Sequence, residues 1–139
     1  MAKNVRDAMT SNPRTVTADR PVTDVARIMR DENIGSVPIV GDDGRLVGTV
    51  TDRDVAIRLV AEGRDSQSTT VGDIASRDVI TIDPQQDLDE ALRLMARHQI
   101  RRLPVVEEDG RLVGIVAQAD IAVEAKEKRV GETVEEISR

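Results

Sequence analysis

The stretch IGSVPIVGDDGRLVGTVTDRDV, residues 34–55, returns as IRRLPVVEEDGRLVGIVAQADI at residues 100–121. Eleven of these 22 positions are identical at a constant offset of 66 residues, so the chain carries an internal duplication. In both copies an Asp-Gly pair (Asp43-Gly44, Asp109-Gly110) separates two runs rich in β-branched residues and leucine. That arrangement predicts a β-hairpin, because the left-handed backbone of a tight hairpin turn favours Gly. A helix is predicted to start near Asp52 and again near Gln118.

Working outward, Val22, Val25, Ala26 and Met29 correspond to Leu88, Ala91, Leu92 and Met95. The i, i+3, i+4, i+7 spacing gives one apolar helical stripe per copy, over about 22–33 and 88–98. RTVT (14–17) and VITI (79–82) read as brief first strands, and VRDAM (5–9) corresponds to VGDIA (71–75). The order in each copy is therefore β-α-β-β-α, an α/β (α+β) class. GRDSQSTT, at 63–70, has no apolar residue and many turn formers, so residues 64–70 read as a linker between copies 1–63 and 71–128. The charged segment 129–139 is expected to be helical. A copy of about 60 residues buries only a modest fraction of its surface. The two copies are therefore expected to pack together about a pseudo-twofold axis, leaving two related clefts.

Composition narrows the function classes. Of 139 residues, 39% are apolar and 33% charged, as in a soluble packed domain. No apolar run approaches the roughly 18 residues of a membrane span, and the N-terminal segment lacks a signal-peptide core, so a cytoplasmic location is expected. There is no cysteine, hence no disulfide framework or thiolate metal site. The net charge of −6 argues against a broad phosphate-backbone footprint, and the absence of Phe, Tyr and Trp removes the usual base-stacking platforms. Nucleic acid is accordingly not an expected partner. No nucleophile–base pair, Walker A loop or Gly-x-Gly-x-x-Gly turn is present, so no enzymatic role is expected. His98, the only histidine, falls near a helix end, where a cation is electrostatically comfortable. Met9, Met29 and Met95 fit the apolar pattern and read as core.

Thr51-Asp52-Arg53-Asp54 follows a predicted strand and opens a predicted helix. Two readings share this geometry. In one, Thr51 is the N-cap and Asp54 completes a capping box. In the other, the helix start receives a phosphate, Thr51 adds a hydroxyl, and Asp54 accepts the two hydroxyls of a ribose. In the second copy Ala117 cannot cap, yet Asp120 remains, which points to a role shared by the two aspartates. Arg101-Arg102 reads either as solvated charge or as a phosphate clamp, since guanidinium forks match phosphate oxygens. Ser36 stands where the second copy has Arg102.

The apolar-Pro-apolar strands (Val37-Pro38-Ile39, Leu103-Pro104-Val105), the Asp-Gly hairpins, the Leu-Val-Gly strands and the Thr-x-x-Asp helix start resemble a tandem pair of CBS domains, the Bateman module. The resemblance covers nearly all of residues 3–126. It implies a regulatory module that binds an adenosine-containing ligand (AMP, ADP, ATP, S-adenosylmethionine or an NAD-type dinucleotide), with no tightly required cofactor. It implies that Asp54 and Asp120 hold the ribose. Thr51, with Arg53 beside it, meets phosphate. Arg14, Thr15 and Val16, and Ile80, Thr81 and Ile82, give backbone bonds and aliphatic cover to the base. Gly35, Ser36, Arg101 and Arg102 line the phosphate side. Ala117 departs from the family's Thr or Ser, so the cleft of Thr51 and Asp54 is expected to be the better nucleotide site. A homodimer and a protein partner of unknown identity are also implied. A ligand-free dimerisation or interaction scaffold is the alternative, with nucleic-acid binding ranked below it.

Overall fold

The structure, a computed structural model, describes residues 3–124; the expected C-terminal helix at 129–139 lies outside them. The two duplicated hairpins form as the Asp-Gly pairs predict. Strand β2 (Ser36–Val40) runs antiparallel to β3 (Leu46–Thr51), with Val37 opposite Val50 and Ser36 opposite Thr51. In the turn, Gly44 has φ 79° and the Asp43 carboxylate accepts the Arg45 N–H at 3.0 Å. The second hairpin, β4 (Arg102–Val106) with β5 (Leu112–Ala117), repeats this. Gly110 has φ 92°, and Asp109 accepts the Arg111 N–H at 3.1 Å. That backbone bond, then the Arg111 guanidinium, holds the Asp109 carboxyl below its ordinary range.

Both predicted amphipathic helices are present. Helix α2 (Val22–Glu32) starts after Pro21, whose ring presets the entry, and α5 (Leu88–His98) is capped by Asp87, which accepts the Glu90 N–H at 2.7 Å. Each ends on a left-handed residue at the same repeat position, Asn33 or Gln99, both at φ 54°. Val22 and Val25, and Ala91 and Met95, turn inward. The predicted first strands shrink to single residues. Val16 bridges Ile39 in parallel, and Ile82 bridges Val105 in the same way.

The compact units differ from the sequence copies. The N-hairpin unit comprises residues 14–79 with 108–112, and the C-hairpin unit comprises 3–13, 80–107 and 113–124. The short helix α4 (Val71–Ile74), which opens the second copy, thus belongs with the first hairpin. Its Val71 and Ile74 are fully buried in one core with Val16, Val22, Val25, Val37, Ile39, Val50 and Leu59. Conversely α1 (Val5–Ala8) belongs with the second hairpin. Val5 lies in a core with Ile82, Ala91, Met95, Leu103, Val105, Val116 and Ile121. The physical reason is pairing of backbone. In the N-hairpin unit, Val22 N–H donates to Thr69 and Val71 N–H to Arg20; in the C-hairpin unit, Val5 N–H donates to Gln86 and Leu88 N–H to Lys3. Each leading segment is thus tied to the start of the other copy's long helix. At α4, reciprocal bonds join Thr70 and Asp73 in a capping box. The Thr70 backbone N–H, then its hydroxyl, lowers the Asp73 carboxyl below its ordinary range.

After the leading helices the chain crosses the hairpins' second strands. Ser76 and Thr49 exchange both backbone bonds at 2.9 Å. The equivalent segment β1 (Thr10–Ser11) pairs antiparallel with β5, Thr10 opposite Ile115. The sheet of the C-hairpin unit therefore has the order β1-β5-β4.

Candidate functional site

The repeated aspartates sit where β3 and β5 end. Helix α3 (Asp52–Asp54) begins at Thr51, whose extended backbone and hydroxyl make it the N-cap. Asp54 N–H donates to the Thr51 hydroxyl at 3.0 Å, and Thr51 N–H donates to Asp54 Oδ2 at 2.9 Å. The capping box of the first reading is therefore formed. The helix continues as a π-helix, Val55–Val60, with Ala61 N–H donating to Ala56. This wider coil is rare and is often found at functional sites. In the second copy Ala117 N–H donates to Asp120 Oδ2 at 3.1 Å, so half of the box survives without a capping hydroxyl. The helix there, α6, runs over 118–124, as far as the described residues reach.

This difference has a stability consequence. Thr51→Ala leaves the Asp54 N–H without its cap and is expected to cost about 1 kcal/mol, whereas Ala117→Thr completes a box and is expected to add a similar amount. Urea titrations followed by far-ultraviolet circular dichroism measure both; equal midpoints for parent and variants would remove the capping role.

Around Asp54 the contacts extend further. Its residue exposure is only 7%. The Ser76 hydroxyl donates to Asp54 Oδ1 at 3.3 Å, and the Arg58 Nε stands 3.9 Å from the same oxygen. Arg58 also donates to the carbonyls of Ala75 at 3.0 Å and Ile74 at 3.4 Å. Both oxygens of Asp54 are thus engaged within the N-hairpin unit. Neither Ser76 nor Arg58 belongs to a repeated motif of the sequence. The available signal was the difference between copies, since Thr10 and Glu124 hold the equivalent positions.

The remaining predicted residues divide between the units. In the N-hairpin unit the start of β2 meets the start of α3, with Asp52 N–H donating to the Gly35 carbonyl at 2.9 Å; Ser36 is opposite Thr51. The matching contact in the C-hairpin unit runs from Gln118 N–H to the Arg101 carbonyl at 2.8 Å, which brings Arg101 and Arg102 to the end of the strand that leads to Asp120. Among the described residues, Arg53, Arg101 and Arg102 have no ion-pair partner, whereas Arg14 pairs with Glu32 at 2.8 Å. Val16 and Ile82 pair with the first strands of the hairpins. Val16 N–H donates to Pro38 and its carbonyl accepts from Val40; Ile82 does the same with Pro104 and Val106. Their side chains are buried in the cores. Each of their amide hydrogens and carbonyls thus makes one such bond, leaving the second lone pair of each carbonyl, and Arg14, Thr15, Ile80 and Thr81 flank them in sequence. A groove of about 580 Å³ in the N-hairpin unit, lined by Ala18, Asp19, Val40, Asp42, Ala75 and Arg77, contains none of the predicted residues. It opens at the far end of β2 from Ser36.

His98 closes α5 and is exposed. Among the described residues no group of three or more His, Cys, Asp and Glu side chains is placed to hold a metal, and no helix is long and apolar enough to cross a membrane.

Two repeated hairpins, each followed by a carboxylate at a helix start, define a duplicated α+β module of the CBS class. The CBS domain profile matches residues 5–61 and 71–127, and the chain belongs to this family. CBS domain-containing protein YhcV of Bacillus subtilis is 43% identical over 120 residues, covering 86% of this chain and 84% of that protein. Hypoxic response protein 1 of Mycobacterium tuberculosis is 40% identical over 132 residues, covering 95% of this chain and 92% of its own. Among solved structures, Hypoxic Response Protein I with two coordinated zinc ions superposes with a TM-score of 0.79 at 42% identity, covering 86% of this chain and 97% of that one. The CBS domain pair of protein MJ0100, in complex with 5-methylthioadenosine and S-adenosyl-L-methionine, gives 0.79 at 30% identity, covering 92% and 99%. CBSX2 in complex with AMP gives 0.81 at 26% identity, covering 91% and 98%.

Proposed function

We propose that this chain is a regulatory module that binds an adenosine-containing ligand and signals through a change in the populations of its conformations. The carrying observation is the duplicated carboxylate at the start of a helix, Asp54 and Asp120, in a chain similar to structures that hold AMP, S-adenosylmethionine and methylthioadenosine. In this reading the repeated aspartate is the group that receives ribose hydroxyls. Thr51, Arg53, Gly35, Ser36, Arg101 and Arg102 surround phosphate or its equivalent, and Arg14, Thr15, Val16, Ile80, Thr81 and Ile82 flank the base. No catalytic step is assigned to the chain. Its output passes to a protein partner or to self-assembly as a homodimer through exposed helical residues such as Ile57 and Val60. The proposed setting is the cytoplasm.

With no Phe, Tyr or Trp, the protein itself is almost transparent in the near ultraviolet. A purified sample is therefore expected to show an adenine band from co-purified ligand, or to be stabilised against heat by one of AMP, ATP and S-adenosylmethionine. A flat spectrum together with unchanged melting in all three would favour the scaffold. The observation on the scaffold's side is that Asp54 is already engaged by Ser76.

A further inference from the structure

The two aspartates are equivalent in the repeat but not in their surroundings. Asp54 accepts from Thr51 N–H on Oδ2 and from the Ser76 hydroxyl on Oδ1, with the Arg58 guanidinium alongside. A vicinal diol donates two hydrogen bonds to a carboxylate, and here each oxygen already accepts one bond and the side chain is buried, which leaves a diol little room to reach the remaining lone pairs. Asp120 is half-buried and accepts only from Ala117 N–H, on Oδ2; among the described residues its Oδ1 has no hydrogen bond. The residue equivalent to Ser76 is Thr10, which makes no bond to Asp120. The residue equivalent to Arg58 is Glu124, which turns instead to Lys3 at 2.8 Å. Thus neither the hydroxyl nor the cation that occupies Asp54 is reproduced at Asp120. The cations that suit a phosphate, Arg101 and Arg102, belong to the C-hairpin unit, where the N-hairpin unit offers Gly35 and Ser36.

We infer that Ser76 is an internal occupant of the Asp54 carboxylate, so that each chain takes one nucleotide, on Asp120, while Asp54 serves as a lock holding segment 74–76 to the last helix of the first copy. The inference rests on the nucleotide-binding reading for the ligand, but not for the lock. It reverses the preference that Thr51 and Ala117 suggest from sequence: the hydroxyl of Thr51 is spent on capping, and the missing cap at Ala117 leaves the second carboxylate less committed.

The test labels carboxylates of the full chain with a carbodiimide and glycinamide, reads each site by mass spectrometry, and measures nucleotide uptake by dialysis against AMP, ATP and S-adenosylmethionine. In the parent, Asp120 is labelled and Asp54 protected; bound nucleotide protects Asp120, at one per chain. Ser76→Ala exposes Asp54 to labelling and strengthens nucleotide uptake there by about fivefold to tenfold, the factor carried by one hydrogen bond, so that a second nucleotide binds. Equal labelling of the two aspartates in the parent overturns the lock. Two nucleotides per parent chain, or bound nucleotide that leaves Asp120 fully labelled, overturns the occupancy. Unequal labelling with no uptake of any of the three compounds overturns the nucleotide reading and its occupancy while the lock stands.

Discussion

Gly48→Ala and Gly114→Ala are each expected to lower stability by about 3 kcal/mol, the upper range for forcing extra volume into a packed site. A Cβ on Gly48 would stand 2.8 Å from the Ser76 carbonyl oxygen, and one on Gly114 would stand 2.8 Å from the Thr10 carbonyl oxygen and 2.7 Å from Met9 Sδ. The Met9 side chain can swing aside, but the two carbonyls are backbone and belong to the paired segments themselves. Relief therefore requires separating Ser76 from Thr49, or Thr10 from Ile115. Gly48 and Gly114 are the same position of the repeated GRLVG phrase, and both are crossed by a segment that follows a leading helix. In contrast, a Cβ on Gly63 meets nothing within 4 Å, so volume is no obstacle there and only its φ of 67° resists substitution. Urea titration by circular dichroism, which needs no aromatic reporter, gives the differences. A loss below about 0.5 kcal/mol at both positions, the range of ordinary surface changes, would mean that close crossing does not explain the repeated glycine.

A second large effect follows from the membership of the two cores. Fragments 1–63 and 71–139 are expected to be unfolded when separate and to regain helix and sheet signal when mixed. The first fragment lacks Val71 and Ile74, whose burial is worth about 1.5–3 kcal/mol each, together with the backbone bonds Val71 to Arg20, Gly72 to Ala18 and Ser76 to Thr49. The second lacks Val5 and the strand partner Thr10–Ser11. Those losses are a large share of the ~5–15 kcal/mol of a typical domain. A fragment 1–63 that melts cooperatively alone would show that the exchanged segment is dispensable.

Much of this arrangement is legible in the sequence because local chemistry decides it. The Asp-Gly turns, the two apolar stripes and the start of a helix after Thr51 all depend on neighbours within a few residues, and the structure has them at the expected places. The exchange of leading helices is not legible in that way. VRDAM and VGDIA show that the copies match, but nothing in either segment states whether it serves its own hairpin or the other. The first strands mislead for a related reason. RTVT and VITI carry β-forming residues, yet only Val16 and Ile82 reach a partner, so each predicted strand is reduced to one bridge. At the candidate site the repeated aspartates stand out because they persist while their surroundings change. Ser76 and Arg58 escape attention because they lie in regions where the copies diverge. There the informative signal is a difference, Ser against Thr and Arg against Glu, rather than a repetition.

The exchanged helices also set an order of events during synthesis. The N-hairpin unit can close once the ribosome has released residue 79, apart from the short piece 108–112. Val5 and Thr10 emerge before that unit exists, but their places are beside Gln86, Ile115 and Ile121. At ~5–20 residues per second, the leading helix spends on the order of ten seconds without the surface it will cover. A segment made before the N-hairpin unit is thus housed after it, and the long separation of its contacts favours slow closure of the C-hairpin unit.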